Sequence, residues 1–138
     1  MRRGFLLALL ALAIAASLPA HAQDTRATEA QSAARAWLEL ADKLDGPGTY
    51  ATAGAKFQKA MPVDRWSKAL KDSRGPFGAV QRRTVLSTQF VSSVPGAGKG
   101  EFAVMLFRSS FANREFVQER MTLEKTAKGW QVIGYFPR

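Results

Sequence analysis

The sequence predicts an α+β fold in which three N-terminal helices pack on a curved, four-stranded antiparallel meander. Three observations carry that prediction. Between Ala30 and Leu70 apolar residues recur at three- and four-residue spacings, the period of a helix with one buried side. From Phe77 onward β-branched and aromatic residues gather into four runs. The segments between those runs are short and turn-like, so strands adjacent in sequence should pair in the sheet.

In the first helix, Thr28 and Gln31 fit a capping box, and Ala30, Ala34, Trp37, Leu38, Ala41 and Leu44 follow on one side. Asp45-Gly46-Pro47-Gly48 is expected to end it. A second helix carries Tyr50, Ala53, Phe57 and Ala60, and Pro62 resets the chain for a third with Val63, Trp66 and Leu70 facing inward. Gly75-Pro76 closes that helix. The strand runs are Val80 to Val91, Glu101 to Phe111, Phe116 to Lys125 and Trp130 to Phe136. An antiparallel sheet can leave one face to water, so the helices should cover the other as the lid of a half-cone. A cavity between lid and sheet is where a ligand would be expected.

Ahead of this domain, residues 1–22 read as a cleavable signal peptide. Arg2 and Arg3 supply the positive start, Phe5 to Leu18 the uncharged apolar stretch, and Ala20-His21-Ala22 the small-x-small cleavage site. The apolar stretch is shorter than the roughly 20 residues that span a bilayer. The chain has no cysteine for a lipid anchor. Residues 23–138 are then one domain, periplasmic or secreted, with no transmembrane segment.

Composition limits its chemistry. The single histidine, His21, leaves with the signal peptide, so the exported domain has neither His nor Cys. That excludes thiol nucleophiles, histidine bases and Ser-His-Asp triads, and it removes the usual zinc and copper ligands. No metal or cofactor is expected. Loss of Arg2 and Arg3 leaves 18 of the 20 basic residues against 11 acids, a formal charge of +7. Such a charge favours anionic lipid head groups, cell-wall polymers or acidic proteins, and a nucleic acid is not expected outside the cytoplasm.

The most unusual residue is Glu119, which alternates with Val117, Met121 and Leu123 and so shares their strand face. A carboxylate there needs a partner, as an acid or base in an apolar cavity or as half of a structural ion pair. Hairpin register decides what lies opposite. A turn of Asn113 and Arg114 alone sets Glu119 against Arg108, and a three-residue turn sets it against Phe107. Arg83 and Arg74 are candidate partners, and Tyr50 and Tyr135 candidate hydroxyl donors, completing a candidate ligand site. Arg65, Lys68 and Lys71 form a separate basic face on the third helix, with Arg82-Arg83 as an extension. Gly96 to Gly100 lacks the spacing and following helix of a phosphate loop and reads as a hairpin. Trp37, Trp66 and Trp130 occupy positions expected of core.

A set of residues spread over nearly the whole exported chain resembles a known family. It comprises Ala36-Trp37-Leu38, Asp42, Tyr50, Phe57, Trp66, Arg74-Gly75-Pro76-Phe77-Gly78, Arg83, Pro95-Gly96, Gly100-Glu101-Phe102, Phe107, Phe111, Glu119, Thr122, Gly129-Trp130 and Gly134-Tyr135. The family is the bacterial exported-protein family catalogued as domain of unknown function 4019. Gly75, Phe77 and Gly46-Pro47-Gly48 depart from its pattern. The resemblance implies a fold similar to the nuclear transport factor 2-like (cystatin-like) cone and implies no reaction. The expected function is a non-enzymatic binding or interaction module of the envelope. Its partner would be an envelope protein, an anionic envelope component or a second copy. One alternative is a cofactor-free isomerase or lyase using Glu119 with a tyrosine. A second is a binder of anionic lipid or cell-wall polymer.

Overall fold

Helix formation begins earlier than the capping pattern implies. The computed structural model describes residues 21–138, with side chains from Thr25 onward, so the predicted signal peptide lies outside it apart from the backbone of its last two residues. Helix α1 (His21–Asp42) already encloses Thr28, which therefore caps nothing. Gln31 instead reaches the sheet, donating from Nε2 to Thr88 Oγ1 at 3.1 Å. The predicted stripe of Ala30, Ala34, Trp37, Leu38 and Ala41 is fully or almost fully buried.

The Asp45-Gly46-Pro47-Gly48 segment starts a helix as well as following one. Leu44 adopts a left-handed φ of 56°, and Asp45 N–H donates back to Leu40 O at 3.0 Å, which closes α1. Asp45 Oδ1 then accepts from Gly48 N–H at 2.8 Å and caps α2 (Gly46–Thr52), with proline in the first turn. A Cβ on Gly46 would lie 2.7 Å from Ser67 Cα, so only glycine permits this crossing.

The second predicted helix is in fact two. α2 stops at Ala53-Gly54, where the backbone is extended, and Gly54 N–H donates to Val132 O at 2.8 Å. Docking to the sheet edge outcompetes one more helical turn. The chain continues as α3 (Ala55–Ala60), α4 (Val63–Arg74) and a 3-10 turn (Gly75–Phe77), giving four α-helices among the described residues where three were predicted.

The sheet runs β1 (Val80–Val94), β2 (Gly98–Phe111), β3 (Arg114–Thr126) and β4 (Gly129–Pro137), all antiparallel and in sequence order. It is neither closed nor strongly curled, which corrects the expected half-cone. The space between helices and sheet is filled. Trp37 packs against Phe57, Trp66 and Tyr135 with ring centroids 5.1 to 6.3 Å apart, and Phe57 meets Trp66 edge-on at 4.7 Å. Both tryptophan N–H groups are used on Thr49: Trp37 Nε1 donates to its carbonyl at 2.9 Å and Trp66 Nε1 to its hydroxyl at 2.8 Å.

A bulge in β3 sets the register. Phe111 pairs with Arg114 around a two-residue Ala112-Asn113 turn, yet Ser109 pairs with Val117, so β3 holds one extra residue there. Phe116 takes up the irregularity with φ 58°. Glu119 consequently pairs with Phe107 and points inward. Without the bulge the same turn would oppose it to Leu106 and present it to the other face.

Candidate functional site

Six side chains from six elements meet beneath the helices. Asp42 lies at the end of α1, Arg74 at the end of α4, Arg83 on β1, Ser109 on β2, Glu119 on β3 and Tyr135 on β4. Glu119 is 0% exposed. Its Oε1 accepts from Arg83 Nε at 2.8 Å and Ser109 Oγ at 2.5 Å. Its Oε2 accepts from the Tyr135 hydroxyl, with Arg74 Nη1 3.7 Å away. Arg83 also grips Asp42 with two parallel hydrogen bonds, Nη1 to Oδ2 at 2.9 Å and Nη2 to Oδ1 at 2.8 Å. Arg74 donates to Asp42 Oδ1 at 2.7 Å and to the Tyr135 hydroxyl at 2.9 Å. Its guanidinium carbon lies 4.5 Å from the Phe111 ring centroid, while its Nε has no hydrogen-bond partner.

Two carboxylates and two guanidiniums thus balance inside the protein. Burial alone would raise the Asp42 pKa, but hydrogen bonds and charge from Arg83 and Arg74 outweigh it and hold the carboxyl below its ordinary 3.8. Burial would likewise lower Arg83, and Asp42 and Glu119 reverse that. Burial and the Glu119 charge push the Tyr135 hydroxyl far above its ordinary value, so it remains a proton donor.

The Asp42 shift predicts acid sensitivity. A carboxyl whose pKa is depressed by folding contributes stability that is complete above its unfolded pKa and is lost as pH falls through the folded one. The urea midpoint should therefore decline below about pH 4 through this group. Asp42→Asn should flatten that part of the profile and lower stability at neutral pH. An unchanged acid limb in Asp42→Asn would refute the assignment.

The structure brings together four of the five sequence-predicted ligand-site residues: Glu119, Arg83, Arg74 and Tyr135. Tyr50 is elsewhere, its hydroxyl lying 2.8 Å from Gln58 O and 3.0 Å from Met61 O at the end of α3. Asp42 and Ser109 complete the cluster, and strand or helix position alone did not mark either as part of it. Asp42 was legible only as one of the residues carrying the family resemblance, and Ser109 carries no sequence signal. With both carboxylate oxygens occupied and no exposed surface, Glu119 is placed to fasten the sheet to the helices. It has no room to act on a ligand.

An indentation on the helix side lies elsewhere. A groove of about 230 Å³ is lined by Ala33, Ala36, Trp37, Leu40, Thr52, Trp130 and Val132, all apolar except Thr52 and the indole N–H groups. On α4, Arg65, Lys68 and Lys71 are exposed, and Lys68 pairs with Asp72 along the helix. The expected extension through Arg82-Arg83 is split by the strand: Arg83 turns inward to the network and Arg82 outward.

That outward side of the sheet carries no helix. Arg82, Thr84, Leu86, Arg108, Ser110 and Phe116 line one shallow groove of about 390 Å³. A second, of about 590 Å³, includes Gln89, Leu106, Gln118, Arg120, Thr122, Phe136 and Arg138 among its lining. No Asp or Glu side chain lines either. Among the described residues, none of Arg82, Arg108 and Arg120 takes part in an ion pair.

Comparison with known proteins gives one family. The model described as "Protein of unknown function (DUF4019)" matches residues 33–135. No curated protein and no solved structure matches the chain.

Proposed function

Since the chain belongs to the DUF4019 family, whose function is unknown, we propose its role from its surfaces: a non-enzymatic binding module of the bacterial envelope that works through the uncovered face of its sheet. The observation that carries this reading is the contrast between the two sheet faces. One is covered by helices over a buried ionic network of two carboxylates and two guanidiniums. The other holds unpaired arginines beside exposed apolar side chains.

Export after cleavage at Ala22 is part of the proposal, supported by the charge, length and cleavage pattern of residues 1–22. The helix-then-meander order supports a relation to the nuclear transport factor 2-like arrangement, here with a flatter sheet and a filled interior. The isomerase or lyase alternative loses support because its general base would be Glu119, already bonded to Arg83, Ser109 and Tyr135. Five of the six network members are among the residues that carry the family resemblance, all but Ser109. We therefore read the family signature as marking how the domain is held together. Of the residues lining the two grooves of the open face, only Pro95 and Thr122 belong to that signature.

The test is retention of the processed chain on isolated envelopes. Reversing Arg82, Arg108 and Arg120 to Glu should release it, and reversing Arg65, Lys68 and Lys71 to Glu should not. Release by the α4 variant alone would move the binding surface to that helix. Equal retention of all three proteins would overturn the proposal. Mass analysis of the exported chain should give an N-terminus at Gln23, and a retained leader would refute the export part.

A further inference from the structure

We propose that the uncovered sheet face seats this domain on an anionic phospholipid surface, with its arginines on headgroup phosphates and its exposed apolar side chains in the interface. The inference rests on the binding-face reading above and names what that face binds.

The arginines form a line. Arg82 on β1 pairs with Ser110, two residues from Arg108 on β2, and Arg108 pairs with Gln118, two residues from Arg120 on β3. Each step is one strand across and two residues along, in the same direction, so successive Cα atoms lie roughly 7–8 Å apart on a diagonal. The large apolar residues that stand exposed among the described residues are Leu86 at 50%, Phe116 at 65% and Phe136 at 58%. All of them fall on this face. Leu86 and Phe116 line the groove of Arg82 and Arg108, and Phe136 pairs with Arg120. The Arg108 guanidinium carbon is 4.8 Å from the Phe116 ring centroid.

Phe116 makes the coincidence harder to dismiss as ordinary surface. The bulge requires a left-handed residue, φ 58°, a region that glycine or asparagine enters easily and a bulky side chain rarely does. The chain nonetheless places a phenylalanine there and displays its ring to solvent.

Mixed apolar and cationic groups on one open face suit a lipid headgroup layer. There the apolar groups enter the acyl boundary while the cations meet phosphates, and the two contributions add. A soluble polyanion would use the arginines and leave the leucine and phenylalanines in water. A second copy of the chain would set arginine against arginine, which opposes self-pairing.

Residues 23–138 contain the whole described core, Ala30 to Tyr135, and are the form to test. In co-sedimentation this chain should bind vesicles of phosphatidylcholine mixed with phosphatidylglycerol, release with rising salt, and bind vesicles of phosphatidylcholine alone far more weakly. Replacing Arg82, Arg108 and Arg120 by Gln should weaken binding about a hundredfold, at about fivefold per arginine. Phe116→Gly should weaken binding without lowering the melting temperature, because glycine relieves the left-handed position. That variant keeps the test independent of folding. Equal binding to the two kinds of vesicle, or undiminished binding by the triple Gln variant, would overturn the proposal. Capture by dextran sulfate or polyglutamate with no vesicle binding would also overturn it while leaving the binding-face reading intact. Loss of arginine dependence on whole envelopes as well would remove both.

Discussion

Glu119→Ala is expected to destabilise the domain by about 3–5 kcal/mol, the usual effect of removing one partner from a buried ionic cluster. The magnitude comes less from the bonds lost than from what remains. Arg83 would keep only Asp42, Arg74 would face Asp42 and Tyr135 without the second carboxylate, and the Ser109 and Tyr135 hydroxyls would lose their acceptor. An excess of buried positive charge would then sit between helices and sheet. Glu119→Gln keeps the shape and one acceptor oxygen but not the charge, so its loss should be smaller. Urea unfolding followed by circular dichroism measures both. A loss below about 1 kcal/mol for Glu119→Ala would mean that the two arginines are compensated by other groups.

Trp37→Ala is expected to cost about 3–5 kcal/mol through a different mechanism, an unfilled cavity. Trp37 touches Phe57, Trp66 and Tyr135, so its removal opens space where the helices meet the sheet. It also removes the indole N–H from the Thr49 carbonyl, which then keeps the Ala53 N–H at 3.1 Å. Trp37→Phe should lose less, since it retains much of the packing and only the N–H is deleted. The Trp37→Ala loss is separable by pH from the acid limb assigned to Asp42. The Trp37→Ala deficit should be nearly constant from neutral to mildly acidic conditions, because no titrating group is removed. If that deficit tracked the acid limb assigned to Asp42, the aromatic cluster and the ionic network would be energetically one unit.

The network joins every strand to α1 and α4, and this gives it a specific structural task. Apolar packing fixes that helices lie on the sheet but tolerates sliding. The two-point grip of Arg83 on Asp42 and the shared contacts of Arg74 tolerate very little. A rigid layer pair would hold the opposite sheet face flat, the property that a surface-binding role requires.

Element type was legible in the sequence because it depends on local periodicity and punctuation. The stripe Ala30, Ala34, Trp37, Leu38, Ala41 and the four strand runs are each visible within a dozen residues, and each is found in the fold. The core tryptophans followed from the same reasoning. Where the second helix split, a distant contact had intervened, Gly54 N–H on Val132 O, and Gln31 spends its side chain on Thr88 of the sheet where a cap was expected. No local pattern contains that information.

The surroundings of Glu119 show the boundary most clearly. Alternation with Val117, Met121 and Leu123 was enough to mark it as a carboxylate on an apolar face, and Arg74 and Arg83 could be named as partners. Whether that carboxylate opened onto a cavity or was enclosed depended on the bulge at Phe116, on α4 ending at Arg74 and on Asp42 arriving from the far end of α1. The sequence by itself determined an α+β order, a basic chain without Cys and without His after His21, and a carboxylate on an apolar strand face in need of a base. Only the tertiary structure decided that the acid is sealed within a balanced network and that the free arginines share the open face with the exposed apolar groups. The physical reason is that both outcomes are set by strand register and layer contacts among residues tens of positions apart, where a one-residue slip exchanges the two faces of the sheet.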